Sequence, residues 1–226
     1  MANPFSEAIK NGKFAVAVEC RPPRGADAAP VKSFAASLNG SVSAICVPES
    51  EDGVRLSSLA ACAHLASAGA TPVLHVLTRD MNRIALQSSI LGAVSLGIGN
   101  ILCLTGRHQA LTDCDTAKGV FDIDPAQLLR IADGMRKEGK LANGESIGSS
   151  IELLLGTDTN PFAEPAELHV LGLEAAINAG ADFVITQPVF NLDKFNIWMS
   201  LVRERGLDKK AAIIAGVLPL TSGQEA

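Results

Sequence analysis

The residue of this chain best placed to do chemistry is Glu19, a carboxylate that ends an apolar run. The run covers residues 14–18 and is followed at once by the segment Cys20-Arg21-Pro22-Pro23-Arg24. A carboxylate at the C-terminal end of a first strand suits catalysis, because that end of the strands carries the active site in a β/α barrel. The alternative is a structural role, in which Glu19 simply pairs with Arg21 or Arg24. Spacing alone favours neither interpretation.

Further polar residues cluster at the ends of the other apolar runs. They are Glu49, Ser50, Thr78, Arg79, Asp80, Thr105, Gly106, Arg107, His108, Asp158, Thr159, Asn160, Thr186 and Gln187. In a β/α barrel these residues would converge on one rim, although loops are polar wherever they occur. Gln187 stands out because apolar residues flank it on both sides, and an amide buried there must find hydrogen-bond partners.

Histidine and cysteine point to no metal site. His75 lies within the third predicted strand, where a lone histidine is more often a satisfied core residue than a ligand. His64 and His169 fall on predicted helices, in surface or packing roles. The five cysteines form no C-x-x-C pair, and no His/Cys/Asp group has metal-site spacing.

Short β-branched runs alternate with longer helical segments along the whole chain. The predicted strands cover residues 14–19, 42–47, 72–77, 100–105, 151–156, 183–187 and 213–218. The predicted helices cover residues 6–10, 29–38, 56–67, 82–96, 125–137, 165–178 and 192–205. This alternation is typical of βαβ units and a parallel sheet. The strands are apolar almost throughout, as expected when both faces of a sheet are buried.

These elements predict an α/β fold of the TIM type, a (β/α)8 barrel that is truncated after strand 7. No linker or low-complexity segment interrupts the 226 residues, which indicates one barrel domain over 1–226. A closed eight-stranded barrel usually needs about 250 residues. We therefore expect either a missing C-terminal unit or another element that covers the open edge. Neither a G-x-G-x-x-G nor a P-loop motif follows a strand, which disfavours Rossmann and P-loop folds.

Composition excludes several classes of partner. The formal net charge is −5 and the sequence pI is about 5.4, so a nucleic acid or an anionic membrane surface is not expected to bind. No apolar run reaches the roughly 20 residues that a membrane span needs. The N-terminal segment lacks the basic start and apolar core of a signal peptide. These features predict a cytoplasmic protein.

Three segments together resemble the methylenetetrahydrofolate reductase family. The first is the acid followed by Pro-Pro-Arg at residues 18–24, which is similar to the first-strand motif of that family. The second is the segment 180–190, which contains Thr186 and Gln187 and resembles the sixth-strand motif. The third is the segment 215–219, which resembles the Gly-Ile-Leu-Pro of the seventh strand. Residues 79–83, 104–106 and 121–124 are similar to the shorter, acetogen-type bacterial forms.

The resemblance implies a flavin-dependent enzyme of one-carbon metabolism. The family binds FAD at the strand ends and takes hydride from a reduced nicotinamide, NADH or NADPH, to convert 5,10-methylenetetrahydrofolate to 5-methyltetrahydrofolate. Glu19 would be the general acid that opens the methylene bridge, since the ring nitrogen leaves well only when protonated. Gln187 would hydrogen-bond the pterin of the folate. The implied cofactor-binding residues are His75, Thr105, Gly106, Arg107, Phe121, Asp122 and Asn160.

The chain departs from the family at several flavin contacts. Arg107 stands where an aspartate commonly lies near the flavin pyrimidine edge, and a cation there would favour the anionic reduced flavin. Val47 replaces a threonine, Phe121 replaces a tyrosine, and Ala175-Ala176 occupies the stretch of a flavin-phosphate lysine. Two alternatives therefore stay open. One is a diverged folate binder with weakened or no flavin binding, which takes electrons from a reduced partner. The other is a non-catalytic scaffold subunit, docked on a partner or in a homo-oligomer.

Overall fold

The computed structural model describes residues 3–38, 40–50 and 52–220. Within them, seven strands alternate with helices. The strands are β1 (Ala17–Glu19), β2 (Ala44–Val47), β3 (Pro72–Leu77), β4 (Asn100–Leu104), β5 (Leu154–Thr159), β6 (Phe183–Pro188) and β7 (Ala212–Gly216). The helices are α1 (Pro4–Lys10), α2 (Ala29–Leu38), α3 (Ser58–Ser67), α4 (Arg83–Ser95), α5 (Pro125–Glu138), α6 (Ala166–Asn178) and α7 (Leu192–Glu204), with short 3-10 turns at Gln109–Leu111 and Leu207–Lys209.

The seven strands form one parallel sheet in the order β1-β2-β3-β4-β5-β6-β7. Each strand pairs with the strands before and after it in the chain, and a helix follows each of the first six. This is the topology of a (β/α)8 barrel with seven of its strands, so the prediction of a TIM-type barrel that stops after strand 7 is confirmed. Among the described residues, β1 and β7 are the two edges of the sheet.

Strand residues alternate between the interior of the barrel and the helix layer. The interior cluster contains Ala44, Cys46, Val73, Leu77, Leu102, Leu104, Leu154 and Phe183. The residues between them, such as Ile45, Leu74 and Ile101, pack instead against α2 to α5 in a second cluster. Both faces of each central strand are therefore buried, which explains why these strands are apolar without alternation.

Helix α1 closes the N-terminal end of the barrel. Its Phe5 is fully buried and meets the ring of Phe183 edge-on, with the ring centroids 5.1 Å apart. Asn3 caps the helix and donates from Nδ2 to Asn100 Oδ1 at 2.8 Å. Gly156 makes room for Phe183, because a Cβ atom at residue 156 would lie 2.3 Å from the Phe183 Cζ atom.

The predicted starts of two strands were wrong by three residues each. β5 begins at Leu154 rather than residue 151, because pairing with β4 starts where Leu154 N donates to Gly99 O at 2.8 Å. Asp158 and Thr159 therefore belong to the strand and not to the loop after it. β1 begins at Ala17 rather than residue 14, and Phe14 at this edge of the sheet is 93% exposed. The predicted start of a helix at Pro125 is confirmed, and Asp124 caps this helix.

None of the helices in the described residues combines the length and the apolar character needed to cross a membrane.

Candidate functional site

Glu19 lies on the C-terminal rim of the barrel, by which we mean the carboxyl ends of the strands and the residues that follow them. It is the last residue of β1 and is exposed. Ala17 packs against the interior cluster, so Glu19, two residues later, lies on the same inner face of the strand. The end of β1 is held in place because Cys20 N donates to Cys46 O at 2.8 Å. The carboxylate of Glu19 is thus presented at the mouth of the barrel.

Asp158 and Gln187 lie next to each other on the same rim. Asp158 follows Leu154 by four residues along β5, and Gln187 follows Phe183 by four along β6, so both share the inner face. The Gln187 Nε2 atom is 3.5 Å from Asp158 Oδ2. The prediction that Gln187 is buried was wrong, because its side chain is exposed and contacts Asp158.

The position of Gln187 is fixed by an irregularity in β6. The register with β7 shifts between Ile185 and Pro188. At this bulge Thr186 Oγ1 donates to the Gln187 carbonyl at 2.8 Å and accepts from Gly216 N at 3.0 Å. A Cβ atom at residue 216 would lie 2.4 Å from the Thr186 carbonyl oxygen, so only glycine permits this close approach. β-Bulges commonly re-aim a side chain next to a functional site.

His75 lies inside the barrel, on the same face as Val73 and Leu77. The residue is 7% exposed, and both imidazole nitrogens are buried without a hydrogen-bond partner among the described residues. Burial lowers the pKa of His75 to about 4, so the ring is neutral at pH 7. The expectation of a satisfied core histidine was therefore half right. His75 is buried, but its two polar atoms are not satisfied, which is unusual in a folded protein.

The segment after β4 is anchored by Arg79, which is 3% exposed. The Arg79 guanidinium donates to the Arg107 carbonyl at 2.6 Å and pairs with Asp80 at 2.6 Å. The backbone of Arg79 also donates to the Thr105 carbonyl at 3.1 Å. Gly106 has φ +88°, and a Cβ atom there would lie 3.0 Å from Leu77 Cδ1. Thr105 and Arg107 are exposed beside it.

Phe121 and Asp122 lie further along the same connection, and α4 holds them. Arg83 Nε and Nη2 donate to the two carboxylate oxygens of Asp122 at 2.8 and 2.9 Å, and Arg83 N donates at 2.9 Å. These bonds lower the pKa of Asp122 to about 2. Phe121 has a left-handed backbone, with φ 45°, and its ring stacks on His108 with centroids 6.5 Å apart. The carboxylate of Asp122 is thus committed to Arg83.

Asn160 lines a cavity of about 330 Å³ between the end of β5 and helices α5 and α6. Its Oδ1 atom accepts from Phe162 N at 2.9 Å, and the side chain is exposed. The other lining residues are Asp124, Pro125, Ala126, Thr157, Asp158, Thr159, Leu168, His169, Gly172, Leu173 and Ala176. Asn160 therefore lies at the carboxyl end of β5, beside a cavity that His75 does not line.

A network of ion pairs that the sequence did not predict ties three rim segments together. Asp52 pairs with Arg21, Arg24 and Arg55 at 3.2, 3.3 and 2.8 Å. Arg24 also pairs with Asp113, whose backbone N–H donates to Asp52 O at 3.0 Å. The hydrogen bonds from Arg55 and Arg24 lower the pKa values of Asp52 and Asp113. Arg21 and Arg24 therefore pair with aspartates that lie far away in the sequence.

The described residues contain no group of three or more His, Cys, Asp or Glu side chains that could hold a metal ion. Val47, where the family was expected to carry a threonine, is fully buried on the helix side of β2 and belongs to the outer cluster. It does not reach the inner face of the rim.

The sequence profile of the methylenetetrahydrofolate reductases matches residues 4–226. The chain belongs to this family.

Two reductases are similar over parts of the chain. Methylenetetrahydrofolate reductase 2 of Saccharomyces cerevisiae is 44% identical over 50 residues, which is 22% of this chain and 8% of that protein. A Caenorhabditis elegans protein named "Probable methylenetetrahydrofolate reductase (NADPH)" is 28% identical over 173 residues, 76% of this chain and 24% of that protein. The chain thus spans about a quarter or less of the length of these two relatives.

Solved structures share the barrel at low identity. An uncharacterized protein from Clostridium thermocellum that binds two copies of 5-methyl-5,6,7,8-tetrahydrofolic acid matches with a TM-score of 0.62 and 12% identity, over 92% of this chain and 66% of that one. A 2,3-dimethylmalate lyase matches with a TM-score of 0.61 and 14% identity, over 91% of this chain and 69% of that one. At such identities these matches show the fold.

Members of the methylenetetrahydrofolate reductase family generally use FAD, so we compared the residues present with what that cofactor needs. Around β3 the residues fit a flat polar ring, because both nitrogens of the buried His75 lack a hydrogen-bond partner among the described residues. The cavity beside Asn160 does not fit the rest of FAD. It contains carboxylates but no lysine or arginine to hold a diphosphate.

Proposed function

We propose that this chain reduces 5,10-methylenetetrahydrofolate to 5-methyltetrahydrofolate. The observation that carries the proposal is the set of three side chains on the inner face of the rim, namely Glu19, Asp158 and Gln187. They combine a carboxylate at the mouth of the barrel with a paired carboxylate and amide. Family membership and the tetrahydrofolate bound by the Clostridium thermocellum neighbour support the same substrate class.

Gln187 and Asp158 are the proposed binding sites for the pterin ring. The pyrimidine part of a pterin carries an amino group, a ring N–H and a carbonyl side by side. A carboxylate accepts from the first two groups, and an amide both donates and accepts. The contact between Gln187 Nε2 and Asp158 Oδ2 is long, at 3.5 Å, so a polar group of a pterin can replace it at the Gln187 amide.

Glu19 is the proposed general acid. The methylene group bridges two nitrogens of the folate, and protonation of one of them by Glu19 opens the ring to an iminium cation. A hydride then adds to the methylene carbon and makes it a methyl group. General acid catalysis of this kind typically contributes about 10²–10⁴-fold in rate. Because Glu19 is exposed at the rim, water can return a proton to it after each turnover.

The test is to incubate the purified chain with 5,10-methylenetetrahydrofolate and NADH or NADPH, and to measure 5-methyltetrahydrofolate by mass spectrometry. We expect product to form, and Gln187→Ala to raise the Kd for tetrahydrofolate while the fold is retained. The matched control is Gln87→Ala, whose side chain lies on α4 and hydrogen-bonds Ala142 N at 2.7 Å. Absence of both folate binding and product would contradict the proposal.

A second candidate function, a folate-binding subunit that docks on a partner without turnover, is favoured by one observation. The edges of the sheet expose apolar side chains, since Phe14 is 93% and Val217 is 83% exposed. Apolar residues in such positions are common at protein–protein contacts. Folate binding with no product under either reduced nicotinamide would select this candidate. Product formation by the isolated chain would exclude it.

A further inference from the structure

We infer that this chain holds no resident FAD, because the cavity that the cofactor would have to use rejects a dinucleotide. The inference rests on the proposed function, since it concerns how that reaction receives its electrons. Asn160, which the resemblance assigns to the flavin, lines the cavity between β5, α5 and α6, so a flavin dinucleotide held at Asn160 would have to place its diphosphate against this cavity.

The charges in this cavity are opposite to what a diphosphate needs. Asp124 and Asp158 both line it, and its one basic side chain is the imidazole of His169. Diphosphates are usually held by lysine or arginine, which stay charged at neutral pH, whereas an ordinary imidazole is largely neutral there. Two carboxylates in the lining repel the anion in addition.

The helix ends near the cavity offer no substitute. The N-terminus of α5 reaches it, but a capping box occupies the N–H group of Gln127, since Asp124 Oδ1 accepts from Gln127 N at 2.7 Å. In return Gln127 Oε1 accepts from Asp124 N at 2.9 Å. Helix α6 has Glu167 in its first turn, which adds a third carboxylate close by. Anions bind helix N-termini through free N–H groups, and the capping box together with Pro125, which has no N–H, reduces their number at the α5 end.

Five arginines of the rim are engaged elsewhere. Arg21, Arg24, Arg55, Arg79 and Arg83 each pair with an aspartate. Arg107 has no carboxylate partner within the described residues, and Arg79 holds its backbone. Arg107 follows β4 and does not line the cavity. Arg107 can therefore contact an anionic reactant at the rim, but the cavity cannot bind the diphosphate of a dinucleotide.

The reductant is then a co-substrate rather than a bound flavin. A reduced nicotinamide passes the hydride of its C4 carbon, with the electron pair, directly to the methylene carbon of the iminium cation. The nicotinamide leaves oxidised, the folate is reduced to the methyl form, and the proton that Glu19 gave to the folate nitrogen completes the balance. No further oxidant or reductant is needed.

The experiment measures FAD binding alone, by equilibrium dialysis of the purified full chain. We expect the wild-type protein to be colourless as isolated and to bind added FAD only weakly. Gly172→Lys should raise the FAD affinity at least about tenfold, because it adds a cation to the cavity lining. A Cβ atom at residue 172 meets nothing within 4 Å, so the change is tolerated sterically. Gly134→Lys, in an equally open position on α5 outside the cavity lining, is the control and should not raise it.

Bound FAD in the wild-type protein as isolated, or saturable FAD binding that Gly172→Lys does not strengthen, would overturn the inference. Tetrahydrofolate binding is measured on the same samples without flavin. Folate binding together with FAD binding would overturn the inference and leave the proposed function standing. The absence of folate binding and product would overturn the proposed function, whatever FAD does.

Discussion

The Gln187 Nε2 atom lies 3.5 Å from Asp158 Oδ2, although the two residues are 29 positions apart in the sequence. The pairing of β5 with β6 brings them together, since Asp158 is in register with Ile185, two residues before Gln187. Glu19 shares their inner face at the edge of the sheet. The candidate site thus depends on strand register rather than on loop conformation.

The first prediction concerns the charge of Asp158. Asp158→Asn keeps the shape of the side chain but removes the charged acceptor for the pterin N–H groups. A hydrogen bond to a charged group contributes about 1.5–3 kcal/mol, so we expect the Kd for tetrahydrofolate to rise at least about tenfold. Isothermal titration calorimetry measures this Kd. Asp208→Asn, in the 3-10 turn before β7, is the control. Unchanged affinity in Asp158→Asn would remove Asp158 from the site.

The second prediction concerns the pH dependence of stability through His75. Its pKa is lowered to about 4 by burial, whereas an unfolded histidine has a pKa of about 6.5. As the pH falls, His75 therefore binds a proton at a higher pH in the unfolded state than in the native state. This difference lowers the free energy of unfolding. We expect His75 to cost about 3 kcal/mol of the free energy of unfolding between pH 7 and pH 4.

Urea unfolding of wild type and His75→Leu at pH 7 and pH 4.5 measures this contribution. The leucine variant should lose less stability than wild type over that range. At pH 7 it should be at least as stable, because it removes two unsatisfied buried nitrogens. His64→Gln, on helix α3, is the control and should follow wild type. Parallel pH profiles for wild type and His75→Leu would show that His75 titrates normally.

The third prediction concerns the packing of the barrel interior. A Cβ atom at residue 156 would lie 2.3 Å from the Phe183 Cζ atom, and Phe183 is fully buried against Phe5. Gly156→Ala should therefore lower the free energy of unfolding by about 1–3 kcal/mol through overpacking. Gly134→Ala, on the open face of α5, should raise it by about 0.5–1 kcal/mol.

Combining Gly156→Ala with Phe183→Leu identifies the clash. The smaller side chain makes room for the new methyl group, so the double variant should lose less stability than the two single changes added together. Urea unfolding of all four proteins measures the coupling. Strict additivity would place the strain of Gly156→Ala somewhere other than Phe183.

The overall architecture was predictable because the strands and helices differ in their length and in the spacing of their apolar residues. All seven strands were found in the sequence, and β3 and the α2 helix were placed at their observed boundaries. The start of β5 was missed because Ile151 and Leu153 extend the apolar residues of the strand towards its N-terminal side. The hydrogen bond to Gly99 decides where the strand begins. The spacing of apolar residues in the sequence contains no information about which strands pair.

The candidate site was predictable only in part. Glu19 and Gln187 carry local sequence patterns, and the structure places both on the inner face of the rim. The contact between Asp158 and Gln187 could not be foreseen once Asp158 was assigned to a loop. The ion pair between Asp52 and Arg24 was also missed, and it joins residues that are 28 positions apart in the sequence. No pattern within either segment signals such a pair.

The most direct test of the central claim is the rate at which Glu19→Gln forms 5-methyltetrahydrofolate, with folate affinity measured in the same sample. We predict a loss of about 10²–10⁴-fold in rate, with the Kd for tetrahydrofolate nearly unchanged. Glutamine keeps the size of the glutamate side chain but has no acidic proton to donate. Glu152→Gln, just before β5 at the opposite end of the barrel, should react like wild type. A Glu19→Gln protein that reduces the folate at the wild-type rate would contradict the account.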